Sequence, residues 1–266
     1  MSAPGTALAD PVLEVRGLRR RFGALEVARD IDLALPPGAR QALIGPNGAG
    51  KTSLVNLITG RLRPDAGRIR LAGRDITALD PAARVKAGIA RTFQINQLFR
   101  GMTVVENVAL SVAERRGVGA GPWATACRQD AVLEEALAIL DSLGLADAAL
   151  TPVRTLPYGR QRLVEVAITL GLRPRVLLLD EPAAGVPAAD SLVILDVLAR
   201  LPPEIAILII EHDMEIVFRF AERITVLVDG AILTEGSPQE IAGDAEVRAV
   251  YLGERPPAAG TAGGGR

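Results

Sequence analysis

Gly45-Pro46-Asn47-Gly48-Ala49-Gly50-Lys51-Thr52 fits the pattern G-x-x-x-x-G-K-[ST], and its flanks suit it. Upstream, Gln41-Ala42-Leu43-Ile44 reads as a buried strand. Downstream, Ser53-Leu54-Val55-Asn56-Leu57-Ile58-Thr59 carries an apolar helical stripe that Gly60 stops. A strand, a glycine loop and a helix N-terminus together aim backbone N–H groups at one point, a cradle for phosphate. Lys51 would reach the β- and γ-phosphates of a nucleoside triphosphate, and the Thr52 hydroxyl would face Mg²⁺. Ser53, beside them on the helix, belongs to the same nucleotide-binding set. The alternative is an ordinary glycine turn capping a helix, and the strand and helix together argue against it. Lys51 and Lys86 are the lysines of a chain that otherwise takes its positive charge from arginine. A chance lysine at this spot is correspondingly disfavoured.

The 266 residues suffice for one large α/β domain or two small ones. Aromatic residues are 3% against 49% hydrophobic overall, so the core must be built from Leu, Ile, Val and Ala. A net charge of −1 argues against nucleic-acid binding by bulk electrostatics. Arg19-Arg20-Arg21 reads as a solvated face. Cys127 is the only cysteine, which excludes an intramolecular disulfide and suits a reducing compartment. The N-terminus lacks a charged start followed by an apolar run, so no secretory signal is expected. Ile205 to Ile210 is too short an apolar run to span a bilayer. A membrane role would come through a partner.

Around the glycine loop, Leu13 to Val15, Ile31 to Leu35 and Arg68 to Leu71 read as antiparallel strands joined by turns at Pro36-Pro37-Gly38 and Pro64-Asp65-Ala66-Gly67. From about residue 95 to about 170 the period becomes helical. Thr103-Val104-Val105-Glu106 is a capping-box pattern opening a helix toward Arg115, broken by Gly117 to Pro122. Val132, Leu133, Ala136, Leu137, Ile139, Leu140 and Leu143 then form a stripe closed by Gly144. Val176 to Leu179 and Ile205 to Ile210 are continuous apolar runs, as parallel strands covered on both faces require. Ile224 to Val228, Asp229-Gly230 and Ala231 to Leu233 read as a hairpin. Residues 1–12 are expected to be flexible, and the Pro-, Ala- and Gly-rich tail 255–266 disordered.

Leu177-Leu178-Leu179-Asp180-Glu181 ends a buried strand in two acids. Asp180 could hold Mg²⁺, since a hard cation wants carboxylate oxygen, and Glu181 could orient the attacking water. His212, the only histidine, follows the next buried strand, at the end where open α/β sheets place ligands. It could donate to the γ-phosphate or the water; a merely exposed histidine is the alternative. Gln94, in Arg91-Thr92-Phe93-Gln94, stands where strands give way to helices and could touch Mg²⁺ or water. Phe22, before Gly23, could stack on a purine or simply fill a core.

Taken in order, Phe22, Gly45 to Thr52, Gln94, Leu156-Pro157-Tyr158-Gly159-Arg160-Gln161, Asp180-Glu181 and His212 resemble the ATP-binding cassette ATPases. They match the aromatic loop, Walker A, Q-loop, signature, Walker B and switch histidine, over about residues 13–254. Arg91 to Gln94, the Tyr158-Gly159 signature, Glu181-Pro182-Ala183-Ala184-Gly185 and Tyr251-Leu252-Gly253-Glu254 are similar to the ATP-binding subunits of branched-chain amino acid uptake transporters. That resemblance implies an α/β fold: a P-loop NTPase (RecA-like) core, an antiparallel β subdomain and an inserted α-helical subdomain. It implies ATP and Mg²⁺ as ligands, with Thr52, Gln94 and Asp180 on the metal. Lys51, Glu181 and His212 would serve hydrolysis, and Tyr158 and Gly159 would meet the ATP of a second subunit. It further implies membrane permeases as partners, an extracytoplasmic solute-binding protein acting indirectly, no nucleic acid, and a peripheral place on the cytoplasmic face of the inner membrane.

The sequence departs from that family's pattern at three places. Pro157 stands where a serine hydroxyl is usual, Arg160 where a glutamine is usual, and Pro187 where the loop after Walker B usually carries Asp. These changes suggest slower or more permease-dependent hydrolysis. The rivals are a soluble, non-transport cassette ATPase, a nucleotide-gated module with weak hydrolysis, and an exporter motor. A GTPase is excluded, because neither lysine lies in an Asn-Lys-x-Asp base reader.

Overall fold

The computed structural model describes residues 10–92, 98–118 and 126–252. The first part of the chain gives β1 (Leu13–Phe22), β2 (Leu25–Leu35), β3 (Arg40–Ile44), α1 (Lys51–Ile58), β4 (Ala66–Leu71), β5 (Arg74–Asp75), α2 (Pro81–Ala87) and β6 (Ile89–Arg91). Then come the helices α3 (Val104–Arg116), α4 (Ala126–Ser142) and α5 (Tyr158–Gly171). The remainder alternates: β7 (Val176–Asp180), α6 (Ala188–Ala199), β8 (Ala206–Ile210), α7 (Met214–Phe220), β9 (Arg223–Val228), β10 (Ala231–Gly236), α8 (Pro238–Gly243) and α9 (Ala245–Leu252).

The strands form two sheets. An antiparallel one runs in the order β2-β1-β4-β5. The other runs β10-β9-β3-β8-β7-β6, parallel from β9 to β6, with β10 antiparallel at its edge. The apolar runs of β7 and β8 are buried throughout, and alternation splits them between two cores. Leu177, Leu179, Ile207 and Ile209 face the helical side with α3 to α7. Val176, Leu178, Leu208 and Ile210 face α1 and the antiparallel sheet. The parallel sheet is therefore the partition on which both halves of the molecule pack.

Local signals account for the element ends. The Thr103 hydroxyl accepts from the Glu106 N–H, and the Glu106 carboxylate accepts from the Thr103 N–H at 2.7 Å, so α3 opens in a capping box. Gly117 closes α3 at φ 65. Asp229 and Gly230 take φ 47 and 78, the positive pair that a tight β9–β10 turn needs. The buried Arg84 of α2 donates to the Leu57 and Ile58 carbonyls at 2.6 and 2.7 Å, placing a cation on the C-terminus of α1.

The stripe on α4 is narrower than its sequence suggests. Val132, Ala136, Leu140 and Leu143 are buried, whereas Leu133 and Leu137 are 45% and 40% exposed. The seam against α3 and α5 follows the four-residue spacing, and the neighbouring position in each turn is rotated about 100° toward solvent. Residues 1–9, part of the expected break at Gly117 to Pro122, and 253–266 lie outside the described residues.

Candidate nucleotide site

Because β3, β6, β7 and β8 are parallel, their carboxyl ends lie on one edge of the sheet. That edge gathers the glycine loop after β3, Arg91 at the end of β6, Asp180 and Glu181 at the end of β7, and Glu211 and His212 after β8. Ligands bind at such edges in open parallel sheets.

At two of its glycines the loop has room for backbone only. A Cβ on Gly45 (φ 152) would lie 2.0 Å from the Leu227 carbonyl oxygen, and one on Gly50 (φ 101) 2.6 Å from that of Val27. Gly48 (φ 83) faces open space, and Asn47 beside it is exposed. The loop is pinned from outside: Gly230 donates to the Ala49 carbonyl at 2.8 Å, and Ala49 donates to that of Pro46. Lys51 curls back, its Nζ donating to the Gly45 and Pro46 carbonyls at 2.6 and 3.0 Å. Burial pulls the Lys51 pKa down, and the charges of Glu181 and Asp180 partly restore it. Thr52 is exposed beside it and Ser53 half-buried.

Across from Lys51, Asp180 is buried and ion-paired with Arg91, Nη2 to Oδ2 at 2.5 Å. The other Arg91 nitrogen donates to Asn56 Oδ1 on α1 at 2.8 Å. Glu181 sits at φ 47, a conformation costly for a residue with a side chain, and its N–H bonds the Ile210 carbonyl. Its carboxylate lies 3.4 Å from Nδ1 of His212, whose side chain is 65% exposed. Beneath them Glu211 is 2% exposed and accepts from the N–H groups of His212 (3.3 Å) and Ala183 (3.5 Å). Burial pushes its carboxyl up from the usual range.

The edge thus brings together Gly45 to Ser53, Asp180, Glu181 and His212. Phe22 lies apart at the β1–β2 turn, 44% exposed under the Arg20 guanidinium. Tyr158 and Gly159 begin α5, where Gly159 packs on Asp190 and the Tyr158 ring lies by Gly185. Pro157 gives that helix no side-chain cap. Gln94 lies outside the described residues. Sequence reasoning missed Asn56, Glu211 and the partnership of Arg91. Arg91 was visible only as one letter of a motif, and Asn56 and Glu211 had no pattern to mark them.

The residues present fit a nucleotide with Mg²⁺. Gly45 and Gly50 exclude a Cβ by direct collision, a lysine is folded into the loop, and a buried carboxylate and an exposed hydroxyl supply hard oxygen. Among the described residues no three His, Cys, Asp or Glu side chains converge into a metal cage.

A glycine cradle at the edge of a parallel sheet, acids at the same edge two strands away and a helical layer on one face of that sheet define a nucleotide-binding cassette. Comparison with known proteins agrees. The ABC transporter family matches residues 28–184, and the branched-chain amino acid ATP-binding cassette transporter family matches residues 231–256. The high-affinity branched-chain amino acid transport ATP-binding protein BraF of Pseudomonas aeruginosa is 38% identical over 93% of this chain and 100% of its own. LivG of Escherichia coli, with the same description, is 36% identical over the same shares. Two crystal structures of an ABC-transporter cassette, one in its ADP conformation and one nucleotide-free, superpose with TM-scores of 0.79 at 30% identity. They match 92% of this chain and 99% and 100% of theirs. The chain belongs to the ABC transporter family, in its branched-chain amino acid group, and is an ATPase subunit that binds ATP. Among the described residues no helix is long and apolar enough to cross a membrane.

Proposed function

We propose that this subunit powers uptake of branched-chain amino acids, or a related small solute, by hydrolysing Mg²⁺-ATP beside membrane permeases. The observation that carries the reading is the convergence of Lys51, Asp180, Glu181 and His212 on one sheet edge, with Glu181 and His212 3.4 Å apart. Lys51 holds the β- and γ-phosphates, and Thr52 and Asp180, with Gln94, supply oxygen on the metal side. The cation, when bound, neutralises phosphate charge. Glu181 orients the attacking water, and His212 steadies the γ-phosphate. Phe22 offers an exposed ring to the base.

Tyr158 and Gly159 at the start of α5 pack on Gly185 and Asp190 of the segment after β7, and we read them as meeting the ATP of a second subunit, homologous or identical. A shared nucleotide then holds two subunits together until hydrolysis releases them. The relatives are named as ATP-binding proteins of branched-chain amino acid transport, which supports membrane permease partners; an extracytoplasmic solute-binding protein would act on them indirectly. In this reading the subunit works on the inner face of the plasma membrane, with residues 13–254 as one nucleotide-binding domain. A cavity of about 400 Å³ bordered by Leu98, Phe99, Leu110 and Ile168, between the sheet edge and α3–α5, suits a short permease helix.

The test is Glu181→Gln with ATP. The variant is expected to bind ATP, run as a dimer on gel filtration and lose turnover by at least about a hundredfold. Undiminished hydrolysis would reject the role of Glu181. Because Pro157 brings no hydroxyl to the signature, basal hydrolysis should be slow and rise with permease. A rate that permease leaves unchanged favours a free-standing, nucleotide-gated module.

A further inference from the structure

We propose that Arg91 is a positioning residue for the metal-side carboxylate of Asp180, an inference that rests on the reading of Asp180 given above. Arg91 ends β6, in register with Leu178 of β7, so its side chain runs forward to Asp180 two residues on. Nη2 meets Asp180 Oδ2 at 2.5 Å and Nη1 meets Asn56 Oδ1 at 2.8 Å. The guanidinium therefore ties the tip of β7 to the helix that carries Lys51 and Thr52. Both charged side chains are nearly enclosed, at 10% and 6% exposure.

An enclosed ion pair is a poor way to stabilise a fold, because desolvating two charges offsets most of their attraction. Here the placement has a further cost, since Arg91 Nε is buried without a hydrogen-bond partner. What the pair does supply is orientation. A planar donor fork fixed at two ends holds one carboxylate oxygen and leaves Oδ1 to face the cation or its water. Partners of this kind set metal affinity without touching the metal, and their loss commonly weakens it about 10–100-fold. Lysine would keep the charge and lose the fork. Arg91 also borders the cavity that would receive the permease, so the same side chain touches the metal side and the docking side.

The experiment is equilibrium binding of a fluorescent ATP analogue to the purified protein, titrated with Mg²⁺ and repeated in EDTA, with thermal melting as a check on folding. Arg91→Met should raise the Mg²⁺ concentration for half-maximal enhancement about tenfold, with affinity in EDTA within about twofold of the parent. Arg91→Lys should recover part of the shift. An unchanged Mg²⁺ requirement in Arg91→Met, or an equal loss of affinity with and without Mg²⁺, overturns the proposal. Should Arg91→Met fail to fold, Asn56→Ala, which frees only the far end of the guanidinium, should move the Mg²⁺ requirement the same way, and no movement overturns it. Asp180→Asn separates the two levels of inference. If Mg²⁺ dependence survives it unchanged, the reading of Asp180 itself fails. If Asp180→Asn moves it and Arg91→Met does not, only the role of Arg91 fails.

Discussion

Glycines of one motif do unlike jobs. At Gly45 an added methyl carbon would sit 2.0 Å from a backbone oxygen of β9, which cannot retreat without unpairing the sheet. At Gly48 nothing lies within 4 Å, so only the left-handed backbone resists a side chain. Gly45→Ala should therefore abolish nucleotide binding and lower the melting temperature sharply. Gly48→Ala should cost roughly 1–2 kcal/mol of stability and leave measurable binding. Equal effects in calorimetry would contradict this account. Glu211 makes a pH prediction. Burial lifts its pKa above the ordinary 4.5, so the folded form keeps its proton where the unfolded form has lost it. Stability is then complete at low pH and declines as pH rises from the ordinary value through the raised one. Glu211→Gln lacks that decline. Its melting temperature, compared with the parent at about pH 5 and about pH 8, should gain on the parent at the higher pH. The glycine loop was legible because its chemistry is local in sequence. Glu211 was not, since Ala183 meets it only after two strands have paired.

The period of an apolar run tells which element forms, and less about how much of it is covered. β7 and β8 were readable as buried strands because Val176 to Leu179 and Ala206 to Ile210 are apolar at every position, leaving no ambiguous face. The stripe of α4 was read too broadly: Leu133 and Leu137 share the spacing of the core positions and face solvent. The reason is geometrical, since the line through Val132, Ala136, Leu140 and Leu143 reaches the inner helices, with Ile139 half-buried beside it. Leu140→Ala should cost about 2–5 kcal/mol by leaving a cavity. Leu137→Ala should change stability by about 0.5 kcal/mol or less. Urea titrations of the two variants decide between the broad and the narrow stripe. The short elements α2 and β6 had no readable period, and their positions follow from Arg84 and Arg91 reaching across to α1.

On the scale of the whole molecule, one sheet separates an antiparallel half bearing Phe22 from a helical half bearing the signature. The class of protein was legible from the order of motifs. A docking surface around Gln94 to Phe99 was implied only by the family resemblance; the far wall of the cavity, from Asn107 to Leu172, carries no motif that could mark it in the sequence. Phe99 and Leu110, 59% and 45% exposed, border it. Replacing either by Asp should weaken the stimulation of ATPase by permease at least about tenfold, because a charge must then be desolvated on docking. ATP affinity of the isolated subunit should stay within about twofold. Equal stimulation in both variants would move the docking face elsewhere.

His212 stands alone in this chain as an imidazole, two-thirds exposed and within 3.4 Å of the Glu181 carboxylate. Its ring carbon protons therefore give proton magnetic resonance one isolated pair of lines, with no second histidine to overlap them. The protein carries its own spectroscopic reporter, and displacement of that pair on adding ATP would time the arrival of nucleotide without any label.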